Sequence, residues 1–345
     1  MAEIGVGIIG SGIRGRHGYE HYLASHPAVR LRALAHYRNS SAVLREGRTA
    51  DADEAYAASL GVDYYGEDFE RLLQREDIQI ISMMVEPGQA ADYVEFIAAA
   101  GKHIISDKPM AGNVADGQRI VNSVGRHGIK FLVAFNERYS PPLRAVREKL
   151  VSGAVGGLLA ATSTFCFAGP LSGFTGSSAY RESFGGGEFA NFGCYCADYL
   201  GWLAQSPPVS VYGQMGSFFY DDYREAGMDD LGQCVVRYEN GVIGTIIAGR
   251  PRSAHAAPWI TADLTAERGS LRANSNMPLL EIATESHRLL PYGATGLDQL
   301  AQDFVECVIN DTPSPIPAEA GLASLRVVHA AYETAGTGQA VLLLP

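Results

Sequence analysis

The sequence predicts an α/β protein of two domains: a doubly wound parallel sheet first, then an α+β domain with a large, mostly antiparallel, open sheet. Three observations lead to this prediction. An apolar run at 6–9 enters a glycine-rich turn, and a helix-like stretch follows at 16–25. Strands and helices then alternate up to about residue 135. Beyond about residue 150, short β-rich segments prevail. We therefore expect one domain over 1–135 and a second over 136–345.

The glycine-rich turn has the spacing of a dinucleotide site. The small and β-branched residues before it are typical of a strand buried on both faces. Gly10 permits the tight turn, Gly12 lets the backbone approach a pyrophosphate, and Gly15 lets the next helix pack closely on the strand. The first amides of that helix attract the anion. We expect a Rossmann domain that binds its cofactor through Gly10, Ser11, Gly12, Ile13, Arg14 and Gly15.

The end of the second predicted strand, at 29–35, bears on the choice of cofactor. An NAD site usually carries Asp or Glu there, about 20 residues past the glycines, to bind the ribose 2′-hydroxyl. This chain has instead His36, Tyr37 and Arg38, followed by an asparagine and two serines. Because arginine and serine suit a 2′-phosphate, we expect NADP as the preferred cofactor and NAD as the alternative. A solvated loop arginine is the other interpretation of Arg38.

The rest of the first domain continues the alternation. Helices are predicted over 51–60, 68–75, 90–100 and 114–127, and strands over 78–85, 103–106 and 130–135. Ligands of such sheets bind at the carboxyl ends of the strands. The polar residues at these ends are His36, Glu86, Asp107, Lys108, Asn136 and Arg138. The ammonium group of Lys108 could hold a substrate oxygen, and a solvated loop lysine is the alternative.

The second half of the chain favours an antiparallel sheet. Its β-rich segments lie at 158–167, 209–220, 231–238, 241–249, 259–266 and 278–283. Asn240-Gly241 is a hairpin signal between two of them. Two helices are predicted to follow, at 297–310 and 318–336.

Composition excludes several classes of protein. The chain has 345 residues, 47% of them hydrophobic, and a formal net charge of −11. That charge argues against broad nucleic-acid binding, and no apolar run is long enough for a membrane span. The start of the chain lacks a basic region, so we expect no signal peptide. The five cysteines are scattered without a CxxC pair, so we expect reduced thiols, a cytoplasmic protein and no metal site.

A stretch after three consecutive glycines, 185–187, is the candidate for chemistry in the second domain. If 189–203 is a helix, Asn191, Tyr195 and Asp198 share one face of it. A tyrosine near a lysine can act as a general acid or base, because the cation stabilises the phenolate. The alternative is that Tyr195 is a packing residue with a satisfied hydroxyl.

Two further polar groups flank this stretch. Arg181 precedes the glycines within Tyr180-Arg181-Glu182, and Asp229-Asp230 precedes a predicted strand. Either group could line a polar cleft, and either could equally form a surface turn.

In order and spacing, these motifs resemble the glucose–fructose oxidoreductase / inositol dehydrogenase / rhizopine catabolism (Gfo/Idh/MocA) family over nearly the whole chain. The motifs are the glycine turn, Ala99-Ala100-Gly101-Lys102-His103, Asp107-Lys108-Pro109, Asn136-x-Arg138-x-x-Pro141, Arg181, the stretch 185–198, Asp229-Asp230 and Asn240-Gly241. The resemblance implies a Rossmann domain followed by an α+β domain, assembled in dimers or tetramers. It also implies reversible NAD(P)-dependent oxidation of a hydroxyl on a sugar, polyol or related ring.

The resemblance further implies roles for single residues. Asp107-Lys108-Pro109 looks like the family's Glu-Lys-Pro, whose lysine is catalytic. Asn191 and Tyr195 stand where the family often has Asp and His, and some sugar-oxidising members have Tyr at the second position. An amide at 191 can orient a hydroxyl but cannot take its proton. Glu86-Pro87-Gly88 replaces the usual Thr-Pro-Asn, which implies altered contacts at the nicotinamide end.

We therefore expect an NADP-preferring dehydrogenase or reductase that acts on a carbohydrate-like hydroxyl or ketone, as a homodimer or homotetramer. The expected catalytic residues are Lys108, Tyr195 and Asn191, with Lys108 holding the substrate oxygen and lowering the pKa of Tyr195. The expected substrate-binding residues are Lys108, Arg181, Asn191, Tyr195 and Asp198. Cofactor contacts beyond the glycine turn are expected from His36, Tyr37, Arg38, Glu86, Pro87, Asp107, Lys108 and Asn136. Two alternatives stay open: a glycosidase-like enzyme with transient oxidation, and a non-catalytic dinucleotide-binding sensor.

Overall fold

The computed structural model describes residues 3–10, 20–37, 50–169, 178–252, 260–275, 277–283, 287–291 and 296–343. The chain forms two compact units. The first comprises Met1–Ala134 and Leu297–Leu322, and the second comprises Phe135–Gly296 and Ala323–Pro345. The division predicted from the sequence, 1–135 and 136–345, differs from this one in the segment Leu297–Leu322, which returns to the first unit.

The first unit contains a six-stranded sheet in which every neighbouring pair is parallel. Its strands are β1 (Ile4–Ile9), β2 (Val29–Ala35), β3 (Asp63–Tyr64), β4 (Ile80–Met83), β5 (His103–Ser106) and β6 (Phe131–Val133). Their spatial order is β3-β2-β1-β4-β5-β6. This order confirms the predicted doubly wound sheet, and it reverses beside β1, where such sheets bind their ligands.

Helices connect these strands. They are α1 (Glu20–Ser25), α2 (Ala50–Leu60), α3 (Phe69–Leu73), α4 (Ala90–Ala99) and α5 (Val114–His127), with a 3₁₀ helix at Pro87–Gln89. Every residue of β1 and β4 is buried, as expected for strands covered on both faces. Asn113 caps α5 by accepting a hydrogen bond from the Asp116 amide at 2.9 Å.

The second unit contains a nine-stranded sheet among the described residues. Its strands are β7 (Leu158–Cys166), β8 (Pro208–Gly216), β9 (Leu231–Tyr238), β10 (Ile243–Gly249), β11 (Thr261–Ala266), β12 (Gly269–Asn274), β13 (Met277–Ala283), β14 (His287–Pro291) and β15 (Val341–Leu342). Their order is β14-β13-β12-β11-β7-β10-β9-β8-β15. Only β7 and β10 are parallel neighbours in this order, which confirms the expected mostly antiparallel sheet.

One face of this sheet is covered by helix and the other is exposed. The remaining helices are α6 (Pro141–Val151), α7 (Ser178–Phe184), α8 (Glu188–Ala204), α9 (Asp221–Glu225), α10 (Leu297–Ile309) and α11 (Ala318–Thr337), with a 3₁₀ helix at Asn136–Tyr139. Helix α8 packs on β7, β9 and β10. Along β9 the residues alternate strictly, so that Cys234 and Val236 are buried while Val235 is exposed. The core of this unit therefore lies between α8 and the sheet.

Contacts within the first unit explain why the chain returns to it. Helix α10 packs against α1, and His26 lies 3.2 Å from Glu306 across that contact. The Val133 amide then donates to the Ile316 carbonyl at 3.0 Å, which fixes the segment beside β6. These contacts join residues far apart in the chain, so no local sequence pattern predicts them.

Candidate active site

Gly10 directly follows β1 and is crowded by Met84 and Tyr37. Its φ is +72°, and a Cβ placed there would lie 2.5 Å from the Met84 carbonyl oxygen and 2.8 Å from the Tyr37 ring. The Gly10 amide also donates to the Ala35 carbonyl at 2.9 Å. Only glycine fits this position, as the dinucleotide motif requires. The rest of the motif, 11–15, lies outside the described residues, as does Arg38.

A buried histidine–aspartate pair occupies the end of β2. The Nδ1 atom of His36 lies 2.6 Å from an Asp53 carboxylate oxygen, and the two side chains are 4% and 1% exposed. Tyr37, which is also buried, donates a long hydrogen bond of 3.5 Å to Glu86 at the end of β4. The sequence places His36, Tyr37 and Glu86 at strand ends. It gives no signal for Asp53, because this residue lies in α2, 17 positions after His36, and only the fold brings the two side chains together.

The ends of β4 and β5 are neighbours. The Gly112 amide donates to the Pro87 carbonyl at 3.0 Å, and the Asp107 amide donates to the Met83 carbonyl at 3.4 Å. Lys108 follows β5 directly and is 8% exposed, and the Lys108–Pro109 peptide bond is cis. The structure therefore brings Glu86, Pro87, Asp107 and Lys108 to one edge of the parallel sheet, where the sequence predicted them.

Asp198 holds a buried ion pair in the second unit. Arg138 donates to its carboxylate twice, from Nε at 2.8 Å and from Nη2 at 2.6 Å. The aspartate side chain is 1% exposed, and its burial raises its pKa while Arg138 opposes the rise. Both carboxylate oxygens are engaged, so the geometry supports an anchoring role for Asp198 more than the expected substrate contact. Asn136, two residues before Arg138, donates to the Glu137 carboxylate at 3.0 Å.

Asp229 and Tyr332 cap the start of α8. The Asp229 carboxylate accepts hydrogen bonds from the Gly187 amide at 3.0 Å and from the Phe189 amide at 2.7 Å. The Tyr332 hydroxyl accepts from the Ala190 amide at 3.0 Å and donates to Asp229 at 2.6 Å. Burial raises the pKa of Asp229. The aspartate therefore forms neither a cleft wall nor a surface turn, the two alternatives that its sequence context left open.

The neighbouring Asp230 carboxylate holds the segment between β8 and α9. It accepts hydrogen bonds from the amides of Phe218, Phe219 and Tyr220 at 2.9, 2.7 and 3.1 Å. Because these three amides bond to Asp230 and not to a neighbouring strand, β8 ends at Gly216 and does not continue to 220 as the sequence predicted.

The face of α8 carries the predicted Asn191 and Tyr195. The predicted helix over 189–203 is confirmed as Glu188–Ala204. The Tyr195 ring contacts the rings of Phe135 and Phe165, with centroids 5.9 and 5.2 Å away. Asn191 donates to the Glu188 carboxylate at 3.2 Å. Tyr195 and Asn191 are only 5% and 8% exposed, so aromatic packing and a buried hydrogen bond hold this face rigidly.

Sequence reasoning missed two charged residues beside this face. Glu188 and Arg250 are both buried, and the arginine Nε lies 2.9 Å from a glutamate oxygen. In the sequence, Glu188 follows three glycines and Arg250 follows a predicted strand. Neither position by itself indicates that the two side chains form a pair. Arg181, by contrast, is exposed and donates a long hydrogen bond of 3.5 Å to the Gly227 carbonyl.

The described residues contain no group of three or more His, Cys, Asp or Glu side chains arranged to hold a metal ion. All five cysteines are free. Burial raises the pKa of the Cys196 thiol, and it raises that of Cys234 to about 12, which makes both poor nucleophiles. In the described part of the chain, no helix has the length and apolar character that crossing a membrane requires.

Two family models match the chain. The model of an oxidoreductase family with an NAD-binding Rossmann fold, GFO_IDH_MocA, matches residues 4–135. The model of the GFO/IDH/MocA C-terminal domain matches residues 143–272.

Individual proteins resemble the chain more distantly. It is 26% identical over 217 residues to trans-1,2-dihydrobenzene-1,2-diol dehydrogenase of Mus musculus, covering 61% of this chain and 62% of that protein. It is 24% identical over 315 residues to D-xylose 1-dehydrogenase (NADP(+)) 2 of Haloferax volcanii, covering 85% and 90%. The aldose-aldose oxidoreductase of Caulobacter crescentus, solved with glycerol, has the same fold, with a TM-score of 0.83 at 20% identity and coverage of 99% and 100%.

Proposed function

The chain belongs to the GFO/IDH/MocA family of oxidoreductases, and we propose that it is a nicotinamide-dependent dehydrogenase or reductase of a carbohydrate-like hydroxyl or ketone. The observation that supports the proposal is the parallel sheet, in which Gly10, Glu86, Asp107 and Lys108 follow the carboxyl ends of strands, the edge where sheets of this kind bind ligands.

The described residues fit a dinucleotide. A Cβ at Gly10 would overlap the Met84 carbonyl and the Tyr37 ring, so only glycine fits there, as the first position of a dinucleotide motif requires. His36 and Tyr37 end β2, where adenosine is expected, and Glu86 and Pro87 follow β4, where nicotinamide is expected. When bound, the nicotinamide supplies the acceptor or donor of a hydride.

Roles follow for residues of each unit. We propose that the ammonium group of Lys108 holds the reacting oxygen, and that the Tyr195 hydroxyl exchanges the proton of the substrate hydroxyl. Asn191 cannot accept a proton and orients the substrate by hydrogen bonding. Arg181 is exposed and can add a charged contact to substrate.

The preferred cofactor is proposed to be NADP. The segment 36–41 holds an arginine and two serines and has no acidic residue that would bind a ribose 2′-hydroxyl. The acid that the structure brings to the end of β2, Asp53, is 1% exposed and bonded to His36, so it is closed to a ribose.

The substrate class is proposed from the relatives. The Haloferax volcanii protein is named for D-xylose and NADP⁺, and the mouse protein for a ring diol. D-xylose and the ring diol both carry neighbouring carbon–oxygen groups. Such groups suit the hydrogen-bonding side chains of Asn191, Tyr195 and Lys108. The free cysteines support a reducing compartment, for which we propose the cytoplasm.

Nicotinamide absorbance tests the proposal directly. Purified protein is mixed with NAD or NADP and a panel of sugars, polyols and their ketones. We expect cofactor-dependent turnover, with a higher kcat/KM for NADP than for NAD. Nucleotide binding without turnover on any member of the panel would contradict the redox assignment.

A lysine variant separates chemistry from binding. We expect Lys108→Ala to lower kcat by about 10²- to 10⁴-fold, the usual contribution of a positioned acid–base group, with nucleotide affinity nearly unchanged. Lys130→Ala is the matched control, because that lysine pairs with Asp311 at 2.8 Å in the same unit and precedes β6, at the opposite end of the strand from the carboxyl ends. Turnover at the wild-type rate in Lys108→Ala would overturn its assignment.

A further inference from the structure

The chain that carries Lys108 is fastened on both sides of that residue. Before the lysine, the Asp107 amide donates to the Met83 carbonyl at 3.4 Å, and after it the Gly112 amide donates to the Pro87 carbonyl at 3.0 Å. Both hydrogen bonds tie the chain to the end of β4 and the residues that follow it. The packing of the residues between them then decides how the middle of the segment lies.

Met110 connects the Lys108 segment, 107–112, to helix α11. A Cβ placed on Gly321 would lie 2.7 Å from the Met110 sulfur atom, 3.2 Å from its Cβ and 3.0 Å from a Val133 methyl group. Met110 and Val133 are both fully buried. Because the Met110 Cβ is attached directly to the backbone, the helix at Gly321 lies on the segment itself and not only on a flexible side-chain end. The contact has no room for another carbon atom.

The sheet of the first unit holds the helix against this contact. The Val133 amide donates to the Ile316 carbonyl at 3.0 Å, two residues before α11 begins. The Ala134 amide donates to the Ser106 carbonyl at 2.9 Å, which joins the end of β6 to the end of β5. The start of α11 and the start of the segment are therefore fixed to the same two neighbouring strands, so an atom added between them forces a displacement.

We propose that Gly321 is a positioning residue, which sets the place of the Lys108 ammonium group through Met110. The inference rests on the proposed function and deepens it, because it identifies what fixes the group that is proposed to hold the reacting oxygen. Met110 is two residues after Lys108, and the residue between them is Pro109, whose ring fixes its φ. A shift of the Met110 backbone is therefore carried to the lysine.

The variant Gly321→Ala tests the inference by adding one carbon atom at the contact. Since carbon atoms in ordinary contact are about 3.5–4.0 Å apart, the segment must move by about 0.5 Å. A misplacement of about 1 Å costs about 100-fold in rate, so we expect kcat to fall about tenfold. KM and the dissociation constant of NADPH should change less than about threefold, because contacts away from Lys108 are untouched. Nicotinamide absorbance measures turnover, and nicotinamide fluorescence measures binding.

The variant Gly336→Ala is the matched control. Gly336 lies in the same helix, and nothing lies within 4 Å of a Cβ placed there. Because alanine favours a helix more than glycine does, this variant should keep the wild-type kcat and lose no stability in thermal unfolding. A fall in kcat as large as that in Gly321→Ala would trace the loss to the helix and not to the contact, and would overturn the inference.

Removal of atoms from Met110 should restore activity. Met110→Ala alone gives up the contact from the other side, so the segment is less fixed and kcat should fall. In Gly321→Ala/Met110→Ala, the added methyl group enters the space that the sulfur atom left, and kcat should return to within about threefold of the wild-type value. A double variant as impaired as the product of the two single effects would refute the link through Met110.

The Lys108→Ala background shows whether the effect reaches the lysine. No ammonium group is left there to be displaced, so Gly321→Ala should change the residual kcat by less than about twofold. Single turnovers with protein in excess measure this low rate. A further tenfold fall in this background would indicate a general disturbance of the structure, and would overturn the role of Gly321. The probe throughout is D-xylose with NADP, or another sugar of the panel that the wild-type protein turns over faster.

The outcomes separate the two proposals. Unchanged kcat in Gly321→Ala, with wild-type turnover that depends on Lys108, would overturn this inference alone. If Gly321→Ala does not fold, Met110→Ala takes its place, and an equal fall in kcat with and without Lys108→Ala would refute the link to the lysine. No turnover of any sugar by the wild-type protein would overturn the proposed function and this inference with it.

Discussion

At the residue scale, Gly10 combines two constraints that a side chain cannot meet. Its φ of +72° is unfavourable for other residues, and a Cβ would overlap the Met84 carbonyl and the Tyr37 ring. We expect Gly10→Ala to lower the free energy of unfolding by about 2–5 kcal/mol, of which about 1 kcal/mol is backbone strain and the rest crowding. Urea unfolding measures this loss, and nucleotide titration should show weakened binding.

Gly61 provides the control for the backbone part of this effect. Its φ is +67°, but nothing lies within 4 Å of a Cβ placed there. Gly61→Ala should therefore cost only the strain, about 1 kcal/mol, and leave nucleotide binding unchanged. Equal losses of stability in the two variants would contradict the crowding at Gly10.

His103 links protonation to the stability of the first sheet. Its Nδ1 accepts a hydrogen bond from the Lys130 amide at 3.0 Å, which only the neutral ring can do at that atom. Burial and then the Lys130 charge lower its pKa from 6.5, against a smaller opposing effect of Asp311. In this pH range the unfolded chain therefore binds more protons than the folded one. The stability from His103 is complete above pH 6.5 and is lost as pH falls towards the lower folded pKa.

A variant isolates this titration from that of the other histidines. We expect His103→Asn, whose side-chain oxygen can accept the same amide, to lose less stability between pH 7.5 and pH 5.5 than the wild-type protein. Urea unfolding at the two pH values measures the difference. Identical pH dependence in the two proteins would show that His103 is not the titrating group.

At the element scale, α8 owes its position to anchors from distant parts of the second unit. Tyr332 and Asp229 satisfy the amides at its start, and Arg138 pairs with Asp198 in its middle. We expect Tyr332→Phe to lower the free energy of unfolding by about 1–3 kcal/mol, because the helix loses a capping group and Asp229 loses a donor. Chemical unfolding checks the stability, and kcat/KM should fall because the face of α8 is less fixed.

Tyr212 is the control for loss of a phenolic hydroxyl. It lies on β8 and is 45% exposed. Tyr212→Phe removes one hydroxyl and keeps the aromatic ring, so stability should stay within about 0.5 kcal/mol of the wild-type value. A loss at Tyr332 no larger than at Tyr212 would refute the capping role.

Local sequence patterns predict most of the helices and strands. They miss an element that forms only because it pairs with another strand. Helix α8 follows three glycines and has a clear apolar stripe, so its bounds were predicted within one residue at each end. Strand β12 was not predicted, because its sequence, GSLRAN, has only Leu271 and Ala273 on its buried face. It becomes a strand by pairing with β11, where Leu264 lies opposite Leu271. Such pairing depends on the sheet that surrounds it.

The residues of the candidate site also form two groups: those that the sequence indicates and those that only the fold reveals. Lys108, Asn191 and Tyr195 were chosen because a strand end or a helix face is visible in the sequence. Asp53 and Glu188 were not, because their importance depends on a partner 17 or 62 positions away, at His36 and Arg250. A single sequence shows the spacing within one element but not the contact between two.

At the scale of the whole molecule, the second sheet exposes an apolar patch on the face opposite α8. Tyr212, Val235 and Thr245 lie side by side on β8, β9 and β10, and Ile243 is two positions from Thr245 on the same face. Tyr212, Val235 and Ile243 are 45%, 42% and 50% exposed. A contiguous patch of this kind on a sheet is typical of an interface between copies. We therefore predict a homodimer or larger homo-oligomer in which a second copy covers this face.

A charge in the patch tests this prediction. We expect Val235→Glu to shift the protein to monomer in analytical ultracentrifugation, because a symmetric interface would bury the carboxylate of each copy without a partner. The side chain points away from the core between α8 and the sheet, so thermal unfolding of the separated chain should remain cooperative. Phe96→Glu is the matched control, since Phe96 is 54% exposed on α4 of the first unit. An unchanged assembly in Val235→Glu would show that this face is not the interface, and dissociation in Phe96→Glu would place the contact on the first unit instead.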